Sequence, residues 1–472
     1  MKYTFNDRKA TVLAIAFLIL ITVSNCSLET NIVSSNTPVG NESTNSIANS
    51  TPPTLDPTKL APTVTSIVIP TLSPTNTPLN ENKANILCPS MQDKLPDTAA
   101  IQGEFILDPL AIDASPYLLD FSTGLKRYLP YTEAYYPEPF KVSPNYQWVA
   151  YFTKRRDDVT ADFSLVVTDL RGNVVYQESM DKRKKWFLID TWLDNQTLLL
   201  ERYQALPESN TLDTPLPVTL FNPFTGESRD LNGDFPNMLF FFEPLARWDV
   251  FGKSGTAYDP TLNLVAYASE SRDRQSVILW DIQRNREIAR IQAAIGFGSG
   301  PVLSPDGSQF ILDSLAKIPD TGDWTEEERL SEEIFSVSRT GEITRLTYLT
   351  DQFKEVSIGG YVWSPDGSHI AFDVFTKPDV DESDLISGSR LAILDTHTQQ
   401  VTMYCIRSYP EETRLFWSPN GQQLLIGMVD VEKTKVSNRM TIYNTVLIDL
   451  TQNVTVKIAD ETIPLGWMIQ EP

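Results

Sequence analysis

One stretch of the chain reads Trp363-Ser364-Pro365-Asp366-Gly367-Ser368-His369-Ile370-Ala371-Phe372, and it decides the fold. Shorter copies read Leu303-Ser304-Pro305-Asp306-Gly307 and Trp417-Ser418-Pro419-Asn420-Gly421. Proline sets φ at the second position of a tight turn, Asp or Asn supports the bend, and glycine takes the positive φ. Each copy therefore predicts a hairpin, and its return at intervals of about 50 residues indicates a repeat architecture.

Degraded copies of the same hairpin precede these three. They read Val142-Ser143-Pro144-Asn145, Trp192-Leu193-Asp194-Asn195 and Tyr258-Asp259-Pro260. A second hairpin, made of an apolar strand, a polar turn and another strand, follows each copy, so one unit holds four antiparallel strands. One such sheet cannot bury both of its faces, and radial stacking of neighbouring sheets gives a β-propeller.

The two chain ends complete the count of blades. Six hairpins of the first kind are present, and the tail 463–468 carries Trp467 where other copies carry Trp363 and Trp417. The N-terminal unit, 103–128, has three strands and lacks an innermost one, which we expect the tail to supply. The predicted fold is all-β: a propeller of four-stranded antiparallel blades, seven in number, closed by pairing the C-terminal strand with the N-terminal blade. Six or eight blades are the alternatives.

The Ser-Pro-Asp-Gly hairpins followed by Ile-Ala-Phe resemble the WD-like repeats of TolB-like propellers. The resemblance covers roughly residues 100–472. The same repeat type occurs in the propeller domains of prolyl-oligopeptidase-like peptidases, whose catalytic residues lie in a separate α/β domain. The resemblance implies the propeller fold, but it assigns no function because many unrelated activities use this scaffold.

The N-terminus has the pattern of an export signal. Lys2, Arg8 and Lys9 precede an apolar run over 10–23, which is too short to span a bilayer comfortably. An uncleaved anchor is the alternative.

Cys26 follows the apolar run after two residues. The sequence Val23-Ser24-Asn25-Cys26 resembles a bacterial lipobox, in which the cysteine is lipidated, although Asn25 stands where a smaller residue is usual. We predict a lipoprotein signal peptide over 1–25 and a fatty-acylated Cys26. This anchor would hold the protein in the cell envelope, on the outer face of the cytoplasmic membrane or on the outer membrane. An ordinary cleaved signal peptide is the alternative.

Composition divides the remainder of the chain. Residues 26–95 are rich in Ser, Thr, Asn and Pro and predict a disordered tether, whereas 96–472 form the propeller. The net charge of −22 repels nucleic acid, so neither DNA nor RNA is an expected partner. We expect a monomer.

Cys88 and Cys405 are the other two cysteines of the chain. In an exported protein they either form a disulfide that pins the tether to the ring or remain independent thiols. A single sequence leaves both possibilities open.

No motif of catalysis stands out in the sequence. His369 and His397 both occupy repeat positions, which favours scaffold roles, and there is no Gly-x-Ser-x-Gly motif or phosphate-binding glycine loop. The acidic loop 379–384 lacks the glycine of a calcium loop and is followed by Arg390 at the position of the last ligand. We therefore expect no catalytic residue, no metal and no cofactor.

Irregular loops are the better candidates for a binding site. In a propeller, the connections from the second to the third strand and those between blades share one face, which we call the loop face. An acidic insertion over 320–333 belongs to this face and is expected to be solvated. The insertion 235–251 belongs to it as well, and is either a lid packed on the ring or a ligand site made of aromatic and polar side chains. The candidate ligand-binding residues are Phe240, Phe242, Glu243, Arg247, Trp248, Asp249 and Phe251.

These patterns favour a membrane-anchored, extracytoplasmic binding or scaffold protein. Its propeller would bind an envelope protein, a peptide or a glycan through the loop face. A carbohydrate lyase or hydrolase is one alternative and would require close carboxylates. A structural spacer of the cell envelope is the other.

Overall fold

The computed structural model describes residues 84–92, 101, 103–109, 114–130, 138–153, 163–180, 185–204, 219–230, 256–259, 261–269, 276–292, 301–316, 331–377, 389–408, 414–436 and 441–469. Within these ranges the strands form seven separate sheets, which are the blades of a propeller. The prediction of a seven-bladed, all-β propeller is thus confirmed.

The first four blades follow one another in chain order. Two short strands precede them: β1 (Asn85–Leu87) and β2 (Ser90–Gln92). Blade 1 contains β3 (Glu104–Pro109), β4 (Tyr117–Asp120) and β5 (Lys126–Tyr128). Blade 2 contains β6 (Glu138–Val142), β7 (Trp148–Thr153), β8 (Phe163–Asp169) and β9 (Val174–Met180). Blade 3 contains β10 (Lys185–Trp192), β11 (Leu198–Gln204), β12 (Thr219–Phe221) and β13 (Ser228–Asp230). Blade 4 contains β14 (Thr256–Asp259), β15 (Leu264–Ser269), β16 (Ser276–Asp281) and β17 (Arg286–Gln292).

The remaining blades continue in the same order. Blade 5 contains β18 (Val302–Leu303), β19 (Gln309–Leu315), β20 (Glu332–Ser338) and β21 (Ile343–Arg345). A 3₁₀ helix (Leu349–Asp351) leads into blade 6, which contains β22 (Glu355–Trp363), β23 (His369–Lys377), β24 (Ser389–Asp395) and β25 (Val401–Arg407). Blade 7 contains β26 (Leu415–Trp417), β27 (Gln423–Val429), the short helix α1 (Val431–Val436), β28 (Tyr443–Asp449) and β29 (Val454–Ala459). The last strand is β30 (Thr462–Met468).

Strand β30 closes the ring by joining blade 1. It pairs antiparallel with β3, so that Trp467 lies opposite Phe105 and Gly466 lies opposite Ile106. The rings of Phe105 and Trp467 meet edge to face with their centroids 4.8 Å apart. At Gly466 a Cβ atom would lie 2.6 Å from Cγ2 of Val142 in blade 2, so glycine is required for this close approach. The C-terminal strand therefore supplies the missing strand of the N-terminal blade, as the sequence predicts.

The hydrophobic core is divided into layers between the blades. Apolar clusters fill each of the seven interfaces between neighbouring blades, including the one between the last blade and the first. At that closing interface Leu425 and Leu447 of blade 7 pack with Phe105 and Trp467 of blade 1. Each blade thus buries both faces, which a single sheet cannot do alone.

Tryptophans at the ends of inner strands link adjacent blades. The indole N–H of Trp192 in blade 3 donates to the carbonyl of Lys141 in blade 2, at 2.8 Å. Trp417 in blade 7 makes the equivalent bond to the carbonyl of Val362 in blade 6, at 3.2 Å. The repeated tryptophan therefore fills the interface and also satisfies a polar group of the neighbouring inner strand.

Residues 84–92, which we call the belt, run along the outside of the ring. Strand β1 pairs parallel with β25, the outer strand of blade 6, and β2 pairs parallel with β29, the outer strand of blade 7. Between the two strands a disulfide joins Cys88 to Cys405 in β25. The sequence predicts a tether for these residues from their composition. It gives no sign of the two strands, because backbone pairing at a sheet edge requires no alternation of apolar side chains. In the structure they are the fifth strands of two blades.

Replacing Trp467 with alanine is expected to weaken ring closure. Its side chain is 1% exposed, so the loss should be about 3–5 kcal/mol in free energy of unfolding, measured by urea denaturation. Trp467→Phe, which retains an aromatic ring against Phe105, should lose less than half as much. Equal stability of the alanine variant and the wild type would show that closure does not depend on this contact.

Candidate functional site

The hairpins between first and second strands form a regular face of the ring, which we call the turn face. In blades 5, 6 and 7 the buried Ser304, Ser364 and Ser418 begin these turns. Each hydroxyl donates at 2.6 Å to the Asp or Asn two residues later. Each also accepts the backbone N–H five residues later, at 2.9–3.2 Å. The motif that announces the fold is therefore engaged in bonding within its own turn.

The positive-φ position of these turns explains the glycines. Gly307, Gly367 and Gly421 have φ of 67°, 72° and 69°, a region that side chains with a Cβ rarely adopt. In blade 2 Tyr146 occupies this position with φ of 62°, which is why that copy of the motif reads as degraded.

Both histidines lie on the turn face. Nδ1 of His369 lies 2.7 Å from the hydroxyl oxygen of Ser368, and its ring centroid lies 6.2 Å from that of Trp417. The backbone N–H of His397 donates to Asp395 at 2.9 Å within an exposed turn. Both histidines thus contact residues of the repeated hairpins.

The candidate ligand residues predicted from the sequence lie outside the described residues. This applies to Phe240, Phe242, Glu243, Arg247, Trp248, Asp249 and Phe251, to the acidic loop 379–384 and to Cys26. The structure describes the strand ends to which the loop face is attached, and the buried acids there are the remaining candidates for a functional site.

The acidic insertion 320–333 ends differently from expectation. Its last two residues, Glu332 and Glu333, belong to β20 and are 2% and 0% exposed. The register of β20 places Glu332 against blade 6 and Glu333 against the 3₁₀ helix, so both are buried. The sequence predicts solvated carboxylates for this insertion.

Glu332 forms a carboxyl pair with Asp313 between blades 5 and 6. Leu315 lies opposite Glu332 and Asp313 lies opposite Ile334, which makes the two acids diagonal neighbours on β19 and β20. Blade 6 supplies the hydrogen-bond donors. The N–H of Ile358 and the hydroxyl of Ser357 donate to Oε2 of Glu332, at 2.6 and 3.0 Å.

Tyr361 completes this arrangement from the inner strand of blade 6. Its hydroxyl donates to Oδ1 of Asp313 at 3.3 Å. A β-bulge between Gly359 and Tyr361 shifts the register of β22 and reshapes this strand beside the carboxyl pair.

The environment changes the acidity of the carboxyl pair. Burial, followed by the nearby charge of Asp313, raises the pKa of Glu332 to about 8. Burial and the charge of Asp313 also raise the pKa of Tyr361. Near neutral pH Glu332 is therefore protonated, because a second buried negative charge beside Asp313 is costly.

Glu333 is stabilised in a different way. Its carboxylate accepts hydrogen bonds from Arg345 and from Thr350, whose backbone N–H and hydroxyl lie at 2.7 and 2.8 Å. Thr347 and the N–H of Leu349 complete its set of donors. This acid is thus a buried anion that anchors the 3₁₀ helix to β20.

One signal in the sequence marks Asp313. It stands nine residues after Ser304, in a position where the copies beginning at Ser143 and Ser418 carry Phe152 and Gly427. Asp373 holds the same place in blade 6 and is also fully buried. An acid at a strand position that is uncharged in the copies beginning at Ser143 and Ser418 is the clue that could have pointed to this pair.

The described residues hold little else that suits a ligand. A small cavity between blades 4 and 5 is lined by apolar side chains, among them Leu279, Phe310 and Val337, and offers no polar group to orient a ligand. Among the described residues no three of His, Cys, Asp or Glu converge as metal ligands. No described helix combines the length and apolar character needed to cross a membrane.

Comparison with known proteins shows a likeness of fold alone. Neither a protein-family model nor a curated protein sequence matches the chain. TolB from Acinetobacter baumannii is 13% identical, with a TM-score of 0.40, over 82% of this chain and 97% of that chain. Oligogalacturonate lyase from Vibrio parahaemolyticus is 12% identical, with a TM-score of 0.45, over 76% and 87%. Acylaminoacyl peptidase from Pyrococcus horikoshii is 11% identical, with a TM-score of 0.40, over 70% and 47%.

The carboxyl pair predicts a dependence of stability on pH. Because the folded chain raises the pKa of Glu332 to about 8, its stabilising contribution is complete below the ordinary carboxyl pKa of about 4.3 and is lost as pH rises through about 8. Glu332→Gln mimics the protonated acid. It should remove this decline and make the protein more stable than wild type at pH 8.5 by up to about 5 kcal/mol, because each unit of raised pKa corresponds to about 1.4 kcal/mol. Thermal unfolding from pH 5 to 8.5 measures the effect.

Glu333→Gln serves as the control for this measurement. It weakens the charge-assisted bonds from Arg345 and should lower stability across the whole pH range. A decline with pH that is equally steep in wild type and in Glu332→Gln would contradict the assignment of the proton to this pair.

Proposed function

We propose that the protein is a membrane-anchored extracytoplasmic binding protein that holds a protein, a peptide or a glycan on its loop face and catalyses no reaction. The Cys88–Cys405 disulfide carries the proposal of an extracytoplasmic location. Disulfides form and persist in oxidising compartments outside the cytoplasm. The predicted signal peptide and the lipidation of Cys26 agree with this location.

The choice of the loop face follows from the contrast between the two faces. On the turn face, hydroxyls and carboxylates such as those of Ser364 and Asp366 bond within their own turns. The loop face carries the irregular insertions, and variable loops on a rigid scaffold are where proteins place binding residues. In the insertion 235–251, Arg247 and Trp248 are of the types that dominate binding energy at interfaces.

The buried carboxyl pair favours a binding role over carbohydrate cleavage. Glycoside hydrolysis needs two carboxyl groups that flank a bound sugar. Asp313 and Glu332 are each 2% exposed, and their oxygens accept bonds from blade 6. Their position suits a role in the packing of two blades.

Ligand capture should depend on the loop face. Arg247→Ala/Trp248→Ala is expected to reduce recovery of envelope components by at least about tenfold, the loss typical of hot-spot residues. Immobilised full-length protein and solubilised envelope, followed by mass spectrometry and glycan analysis, measure the recovery. A matched control, Phe224→Ala/Arg284→Ala, removes the same kinds of side chain from exposed turns of blades 3 and 4 and should leave recovery unchanged.

Two outcomes would contradict the proposal. Equal recovery by wild type and by the loop-face variant would exclude this face as the binding site and favour the spacer. Shortening of a captured glycan during incubation would favour the enzyme.

The anchor has a separate test. A radiolabelled fatty acid supplied to cells should label the wild-type chain, whereas Cys26→Ser should carry no label and should leave the membrane fraction. Cys88→Ser, which alters a cysteine outside the predicted signal, is the matched control and should retain the label. Labelling of Cys26→Ser would contradict lipidation at this residue.

A further inference from the structure

The belt is held to the propeller by few side-chain contacts. Every residue of β1 and β2 is exposed except Leu87, which packs at the edge of the cluster between blades 6 and 7. Ile86 and Met91 are 60% and 55% exposed. Ala84 adds a contact at the rim, where its N–H donates to the side chain of Gln352 at 2.9 Å. Because little apolar surface is buried, packing alone stabilises the belt weakly.

Backbone pairing adds only two short ladders. Three residues of β1 lie beside β25 and three residues of β2 lie beside β29. Strand pairs of this length are unstable in water without further packing. The covalent bond between Cys88 and Cys405 is therefore the main restraint on the belt.

This disulfide lies on the surface. Both Cys88 and Cys405 are exposed, and Cys405 stands in the outermost of the four strands of the blade proper. A thiolate attacks a disulfide sulfur directly, so access to sulfur controls the rate of exchange. An external thiol can reach these sulfurs without unfolding of the ring.

We propose that the Cys88–Cys405 disulfide is a thiol-exchange site, whose reduction by a dithiol releases the belt while the propeller stays folded. The dithiol loses two electrons and two protons and becomes a cyclic or protein disulfide. The Cys88–Cys405 bond accepts them and becomes two thiols, through a mixed disulfide with one of the two cysteines. Release leaves the outer edges of β25 and β29 unpaired, so the redox state controls two sheet edges.

The inner closure explains why the ring survives release. Strand β30 remains paired with β3, and the cluster between blades 7 and 1 contains no residue of the belt. The belt bridges blades 6 and 7, whereas the closing strand joins blade 7 to blade 1, so the two are independent connections of the ring.

Hydrogen exchange of the full-length chain, with and without dithiothreitol, tests the proposal. Reduction should raise exchange in 84–92 and at the outer edges of β25 and β29 by at least about tenfold, and leave β3 and β30 unchanged. Unchanged exchange in the belt after complete reduction would overturn the proposal. Raised exchange in every blade would overturn it too, because reduction would then unfold the ring.

The rate of reduction gives an independent readout. The rate at which an accessible disulfide is reduced in the native protein should be within about tenfold of its rate in denaturant. Alkylation of the released thiols and mass spectrometry measure both rates. Reduction that occurs only after unfolding would contradict an exposed exchange site.

Two variants separate the disulfide from the side chains of the belt. Cys88→Ser/Cys405→Ser should show the exchange pattern of the reduced wild type without any reductant. Ile86→Ala/Met91→Ala retains the disulfide and should exchange like the oxidised wild type, within about twofold. Release of the belt in this second variant would assign its retention to packing and overturn the proposal.

Discussion

The structure depends on the pairing of β30 with β3, which makes the first blade out of the two ends of the chain. Every blade is a thin sheet whose two faces must both be covered by neighbours. In an open array the first and last blades would each expose one apolar face and one strand edge. Pairing of β30 with β3 at Trp467 and Phe105 covers both apolar faces and both strand edges. Blades 7 and 1 then pack against each other as the other neighbouring blades do.

The fold follows from the sequence where side chains have local reasons for their positions. Gly367 takes a positive φ, Ser364 bonds within its turn, and Trp417 bonds to the preceding blade, so each leaves a recognisable pattern. The belt leaves none, because its strands pair through backbone groups that every residue has. The carboxyl pair is missed for another reason: Glu332 lies near the end of an acidic segment, and only the register of β20 shows that it is buried.

The two acids at the start of β20 show how one residue of register separates chemical roles. Glu333 is held as an anion by Arg345 and by neighbouring hydroxyl and N–H groups. Glu332 faces Asp313, and burial raises its pKa, so it holds a proton near neutral pH. The strength of the contact between blades 5 and 6, directly beneath the loop face, is consequently linked to proton concentration.

The belt also determines how the propeller responds to force. A pull on the chain before Ala84 reaches β1 first, and its parallel pairing with β25 loads the backbone bonds in shear. The tension then passes through the covalent bond of Cys88 into blade 6, and it bypasses the junction of β3 and β30. Under the proposed anchorage through Cys26, the propeller would be held by its rim, and tension on the chain before Ala84 would not peel its closing strands apart.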